Sequence, residues 1–230
     1  FGNQRHTLSR HEPNNNLQMQ AFVEVEINAD TSFIPDNQQV PYQIFAVPTK
    51  LTQCSEAMRD FAHDALAQFL QSEDTDAQLA ILKSLAKDLL DKMPYTKSVT
   101  HVGTTAEQAF AMAAGVCQDH THVFLALLRD KGIAARYVSG YIYEATQAYM
   151  ASHAWAEVLL AGNWYTFDIS NQHFTPNCHV YIAFGRDYAD AAPVRGVRTG
   201  GGDERLYSQV MVSTSPQYIP QLNAQFAAQQ

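Results

Sequence analysis

Along residues 17–27, LQMQAFVEVEI, apolar and polar positions alternate. Leu17, Met19, Ala21, Val23, Val25 and Ile27 share one face, and Gln18, Gln20, Glu24 and Glu26 share the other with Phe22. That period of two predicts a half-buried strand. The PNNN before it (Pro13 to Asn16) reads as a turn from an earlier strand, and Ala29 to Thr52, rich in Pro, Asn and Gln, as a connection over the surface. From Ser55 the period changes. Met58, Phe61, Ala62, Ala65, Leu66, Phe69 and Leu70 keep helical spacing on one face. Thr75 with Gln78 has the capping-box pattern for a second helix, whose buried stripe is Ile81, Leu82, Leu85, Leu89 and Leu90 and whose end is Pro94. Thr104 with Glu107 repeats the signature for a short helix through Ala113.

Residues 116–131 predict a helix that is apolar nearly all round after its first turn, stopped by Gly132. Such a helix belongs at the centre of a core. Beyond it the pattern is that of strands: 134–143, 153–160, 164–169 and 205–214. Gly162 and Asn163 form the turn between the second and third, and Gly200, Gly201 and Gly202 mark a loop before the last. Helices first and an antiparallel sheet after give the class α+β.

Composition narrows the picture. At 230 residues, 46% apolar and 17% charged, the chain is globular and long enough for one large domain with a small appendage. A net charge of −8 argues against nucleic acid as the main partner, since phosphate binding wants a basic face. No apolar run reaches the length of a membrane span. Phe1 with no initiator Met suggests a fragment or a processed form. Cys54, Cys117 and Cys178, an odd set with no close pair, do not form a disulfide framework, which points to a reducing compartment and hence the cytoplasm.

The chemistry concentrates in GVCQDHTH, Gly115 to His122. A metal reading would use Cys117 and His120 on one helix face with Cys178 and His179 added. Yet the chain holds no C-x2-C and no H-E-x-x-H, so no metal and no cofactor is expected. Cys54 and Cys178 read as structural thiols, and most of the nine histidines as scaffold groups. Cys117 differs by position: at the start of the central helix, unpaired backbone N–H groups and the helix dipole stabilise a thiolate and a developing oxyanion. Acyl transfer then needs an imidazole and a group to orient it. His153 opens one strand and Asp168 closes the next. A four-residue loop, Leu159 to Gly162, would set them directly opposite; a two-residue turn at Gly162–Asn163 would leave them four residues out of register unless a bulge intervenes.

The stretch GVCQDHTHVFLALLRDKGIAARYVSGY, followed by SHAWAEV and WYTFD, resembles the bacterial transglutaminase-like family, candidate cysteine proteases of the papain-like thiol enzymes. TTAEQAFAMAAGVCQDH and GRDYADAAPVRGVRTGGGDERL resemble it too, and FGNQRHTLSRHEP is similar to the end of the small β domain that precedes the catalytic one. The resemblance implies a core with its nucleophile at the N-terminus of a buried helix packed on an antiparallel sheet. It implies residues 1–30 as the end of the β domain, 31–52 as linker, 53–215 as catalytic domain and 216–230 as tail. It matches Cys117 to the nucleophile, His153 to the base and Asp168 to the orienting carboxylate. Gln118, Asp119, His122 and Trp155 stand near the site without an assigned step, and Trp155 and Trp164 read as core or cleft wall. One departure is DISN, Asp168 to Asn171, where the family has DPTN. The expected reaction is acyl transfer from a peptide or protein amide, with hydrolysis favoured over transfer to an amine. A glycopeptide amidase and a non-catalytic peptide-binding module are the alternatives. The oligomeric state is not legible.

Overall fold

The computed structural model describes residues 1–11, 16–28, 31–144, 151–197, 199–200 and 208–214. Its centre is helix α4, Cys117–Asp130, in which every residue from Asp119 to Arg129 is buried. That follows from the apolar run Val123–Leu128, which has no polar side to turn to solvent. The helix stops where Gly132 takes φ +71°, in the left-handed region that a side chain disfavours.

Three helices precede α4. Helix α1, Glu56–Gln71, is capped by Ser55, whose hydroxyl accepts from the Met58 N–H, and buries Met58, Ala62, Leu66 and Phe69. Helix α2, Thr75–Lys92, buries Leu82, Leu85, Ala86 and Leu89. Its cap is Asp74 rather than Thr75, since the Asp74 carboxylate accepts from the Ala77 N–H at 3.2 Å, and the Gln78 amide donates 2.7 Å to the Ser72 carbonyl. Helix α3, Ala106–Met112, is displaced the other way, starting one residue later than its predicted box: Thr105 pairs with Gln108. Thr104 is already engaged, accepting 3.0 Å from the His101 N–H to close the turn before it.

The sheet comprises β1 (Ile34–Pro35), β2 (Ala135–Ile142), β3 (His153–Leu160), β4 (Asn163–Phe167) and β5 (His179–Gly185), in the order β1-β4-β3-β2-β5 with every pair antiparallel. Helix α5, Tyr188–Ala191, follows. On β3, Ala154, Ala156, Val158 and Leu160 join the core cluster with α4. The opposite face carries His153, Trp155, Glu157 and Leu159. That second face is also covered: Phe45, Ala134 and Trp164 form a smaller cluster with Phe1, Ile34, Val40, Leu159 and Phe184. The Arg136 guanidinium lies between the Trp164 and Phe184 rings at 4.3 and 4.2 Å, and its Nε donates 2.6 Å to buried Glu157.

Several sequence expectations need correction. Residues 17–27 form no strand among the described residues, and all but half-buried Ile27 lie exposed, Val23 at 75%. Alternation names the face a strand would bury but supplies no neighbour to bury it against, and among the described residues the five strands pair without this segment. Strand β5 was not expected, because Val180, Ile182 and Phe184 on one face and Tyr181 and Ala183 on the other leave no clear period. Of the strand expected over 205–214, residues 205–207 lie outside the described set, and the remainder shows only a bridge at Val210. Most of the Pro13–Asn16 turn, Gly201 and Gly202, and the tail 216–230 also lie outside the described residues. Among those described, no helix is long and apolar enough to cross a membrane.

Candidate active site

Cys117 is the first residue of α4 and only partly buried. The loop that delivers it is stitched from several sides. Val116 has no side-chain oxygen to cap the helix; the carboxylate of Asp119 reaches back and its Oδ2 accepts from the Val116 N–H at 2.8 Å and from the Thr100 hydroxyl at 2.6 Å. A side chain at Gly115 would place its Cβ 2.7 Å from the Asp119 Cβ and 2.9 Å from Oδ2, so this close approach requires glycine. The Gly115 carbonyl in turn accepts 2.7 Å from the Thr96 N–H. Gln118 turns away and donates 3.1 Å to the Val102 carbonyl. Asp119 and Gln118 therefore position the helix start.

His153 and Asp168 come from the β3–β4 hairpin. Its pairs run from Leu160↔Asn163 to Ala156↔Phe167, closed by Ala161 and Gly162 at φ 47° and 78°. Two successive left-handed residues make the tight turn that suits strand twist. Continued past Phe167, this register sets Asp168 opposite Trp155 and residue 170 opposite His153. The offset is two residues, so neither the direct pairing nor the four-residue slip occurs. Two is an even number, which keeps both side chains on one face as diagonal neighbours, and the length of a histidine closes the gap. His153 Nε2 lies 2.8 Å from Asp168 Oδ2. A carboxylate only accepts, so Nε2 carries the proton and Nδ1 is left for the Cys117 thiol, with which the imidazole also hydrogen-bonds.

The electrostatics favour charge on this pair. Burial works against an imidazolium at His153, but hydrogen bonds to Asp168 and Cys117 outweigh it and hold its pKa up at about 9. Burial likewise works against a charged Asp168, yet hydrogen bonds from His153, His179 and Asn171 hold it well below the usual carboxylate range. The DISN turn supplies part of that support. Asn171 donates its backbone N–H to Asp168 Oδ1 at 3.2 Å and its side-chain amide to Oδ2 at 2.9 Å. Ser170 Oγ lies 2.8 Å from His120 Nδ1, while His120 Nε2 donates 2.7 Å to the Met93 carbonyl. Where the family pattern has proline, Ile169 is buried at 1% exposure. Losing the proline leaves the turn intact because side-chain bonds hold it.

His179 was not expected at the site. It is fully buried, with Nε2 3.1 Å from Asp168 Oδ2, so one carboxylate oxygen serves two imidazoles. His153, Asp168 and His179 bring ligand atoms within 4.8 Å of one another, close enough to hold a metal ion if both imidazoles gave up their Nε2 protons. The sequence offers His179 only as a possible metal ligand beside Cys178; its partnership with Asp168 is hidden because β5 has no clear period. Trp155 lies beneath both imidazoles, stacked on His153 with ring centres 6.1 Å apart and 4.6 Å from His179. Trp164 sits at the far end of the hairpin and donates 3.1 Å to Asp36. His122 is not brought to the site. It faces the other way, its Nε2 accepting 3.2 Å from the Tyr188 N–H beside the Tyr137 ring, and burial pulls its pKa down to about 4. It is a neutral packing residue.

Residues 64–169, a span that contains Cys117, His153 and Asp168, match the transglutaminase-like superfamily. The chain carries a transglutaminase-like domain. A solved structure from Cytophaga hutchinsonii, described there as a candidate cysteine protease, is similar over 80% of this chain and 63% of that one, with a TM-score of 0.57 and 25% identity. An uncharacterised protein of Mycobacterium leprae is 35% identical over 117 residues, 48% of this chain and 42% of the relative. One of Mycobacterium tuberculosis is 28% identical over 165 residues, 66% of this chain and 51% of the relative. The chain thus spans about half the length of the curated relatives it matches. The α+β core, with its buried helix on an antiparallel sheet, is the transglutaminase-like fold that the resemblance implied.

Proposed function

We propose that Cys117, His153 and Asp168 form the catalytic triad of a thiol acyltransferase that acts as a peptide or isopeptide hydrolase. What supports this reading most is His153, held by Asp168 through Nε2 at 2.8 Å and close enough to Cys117 for the thiol to help hold the charge on its ring. The Cys117 thiolate attacks an amide carbonyl, and the orphan N–H groups of the first turn of α4 face the oxyanion that forms. The His153 imidazolium then gives its proton to the leaving amine, and a thioester forms at Cys117 as the C–N bond breaks. Water, deprotonated by the now neutral imidazole, attacks the thioester; the C–S bond breaks, the acid is released, and the Cys117 thiolate and His153 imidazolium are restored. Asp168 never moves a proton; it fixes the tautomer and stabilises the imidazolium. Similarity to the Cytophaga structure supports the protease direction.

A mixed peptide library, incubated with and without a primary amine and read by mass spectrometry, tests this. Hydrolysis products that vanish in Cys117→Ala support the proposal, and amine adducts dominating over acids would convert it to a transglutaminase. Cleavage that survives Cys117→Ala, or none by the wild type, would overturn it.

A further inference from the structure

A second thiol stands behind the triad. Cys178 Sγ lies 3.7 Å from His179 Nδ1 and 3.8 Å from His173 Nδ1. Zinc–sulfur and zinc–nitrogen bonds of about 2.3 and 2.0–2.1 Å at the tetrahedral angle set an S···N edge of about 3.6 Å. Both observed separations are close to that edge. The second observation is independent of those distances. A metal-bound imidazole donates its other ring N–H to a carboxylate, which fixes its orientation and strengthens it as a ligand. His179 already does so, with Nε2 3.1 Å from Asp168 Oδ2 and Nδ1 turned towards Cys178. We propose that Cys178, His179 and His173 bind a soft divalent cation of the zinc class, with water as the fourth ligand, and that this cation regulates the triad.

The site is reached from solvent through His173, which is exposed, and Cys178, which is partly so. The His173 and His179 rings stand 6.4 Å apart, nearly perpendicular at 83°. The three ligand atoms do not yet converge on one point, so binding requires the exposed His173 ring to turn towards buried His179. Binding displaces one proton, that of the Cys178 thiol, to solvent; both imidazoles bind through Nδ1 lone pairs and keep their Nε2 protons. The bound charge makes the His179 N–H a stronger donor to Asp168 Oδ2, the same oxygen that holds His153. His153 then loses support for its imidazolium. This differs from a cation placed among His153, Asp168 and His179, which would need both Nε2 protons removed.

The regulatory half rests on the proposed triad; the binding half does not, so the first test removes the triad thiol. Cobalt is titrated into Cys117→Ser and followed by its thiolate-to-metal charge-transfer band. The expected result is one cobalt per chain, displaced by zinc, with the band abolished in Cys117→Ser/Cys178→Ser and affinity down about tenfold or more in Cys117→Ser/His173→Ala. Cys54 is no rival ligand, being buried with its thiol pushed up to about 11 chiefly by burial. No charge-transfer band, or one that persists without Cys178 in protein that circular dichroism shows to be folded, overturns the site. The second test is iodoacetamide labelling of Cys117 with and without zinc. Slowing in wild type but not in Cys178→Ser supports regulation, and equal slowing in both places zinc on Cys117–His153 and overturns it.

Discussion

At the scale of single residues, the hydrogen bond between His153 and Asp168 gives the site its charge, and pH should reveal it. His153 ordinarily titrates near 6.5 and here is held up at about 9. A group whose pKa is raised by folding stabilises the fold fully below its unfolded value and loses that contribution as pH rises through the folded one. The stabilisation should therefore be whole below about pH 6.5 and fade through about pH 9, with a size on the order of 3 kcal/mol. Asp168 describes the same bond from the acid side: its lowered pKa stabilises the fold above the ordinary carboxylate range and is lost as pH falls through the folded value. Thermal unfolding from about pH 6 to 10 should show the alkaline decline in wild type and a flatter profile in His153→Ala; equal slopes would contradict the account. Gly115 makes a second residue-scale prediction. Its added methyl would meet Asp119, itself held by Thr100 and Val116, so Gly115→Ala should cost about 1–3 kcal/mol and slow Cys117 alkylation. Unchanged melting and labelling would show that the approach is not needed.

Among the elements, α4 and the β3–β4 hairpin were legible because each writes its rule locally. An apolar run with a glycine stop reads as a buried helix, and a two-residue turn reads as a hairpin. The offset between His153 and Asp168 was not legible, since moving the turn by one residue shifts the register by two and only three-dimensional pairing decides it. β5, and with it His179, was lost because apolar residues occupy both of its faces, Val180, Ile182 and Phe184 on one and Tyr181 and Ala183 on the other, so no alternation shows. Conversely, 17–27 alternates well and forms no strand among the described residues. Val23→Thr should then change stability by less than about 0.5 kcal/mol in urea unfolding, whereas a buried strand position would lose more. The C-terminal end of α4 is held by a residue that patterning ignores. Arg129, 3% exposed, donates to the carbonyls of Phe45, Ala135 and Arg186 and to the Thr52 hydroxyl, and burial draws its pKa down to about 10. Arg129→Met would strand those acceptors and should cost at least about 3 kcal/mol by urea unfolding. A loss below 1 kcal/mol would mean that water replaces the guanidinium.

On the scale of the whole molecule, the fold joins two contributions that are distant in sequence. A helix start delivers the thiol, and the open end of a hairpin delivers the imidazole and carboxylate, with Trp155 beneath and the DISN turn behind. Both sheet faces are packed: α4 covers one side, and the Phe45–Trp164 cluster with the Arg136–Glu157 pair the other. Position, not composition, separates Cys117 from Cys54 and Cys178. The central claim is that this architecture makes Cys117 a nucleophile through His153. The direct measurement is iodoacetamide labelling between about pH 5 and 9, with mass spectrometry to locate the adduct, in wild type and His153→Ala. The account predicts that Cys117 reacts well ahead of Cys54 and Cys178 at mildly acidic pH, and that the advantage disappears in the variant. Labelling of Cys117 at the pace of the other thiols in wild type, or no change on removing His153, would contradict it.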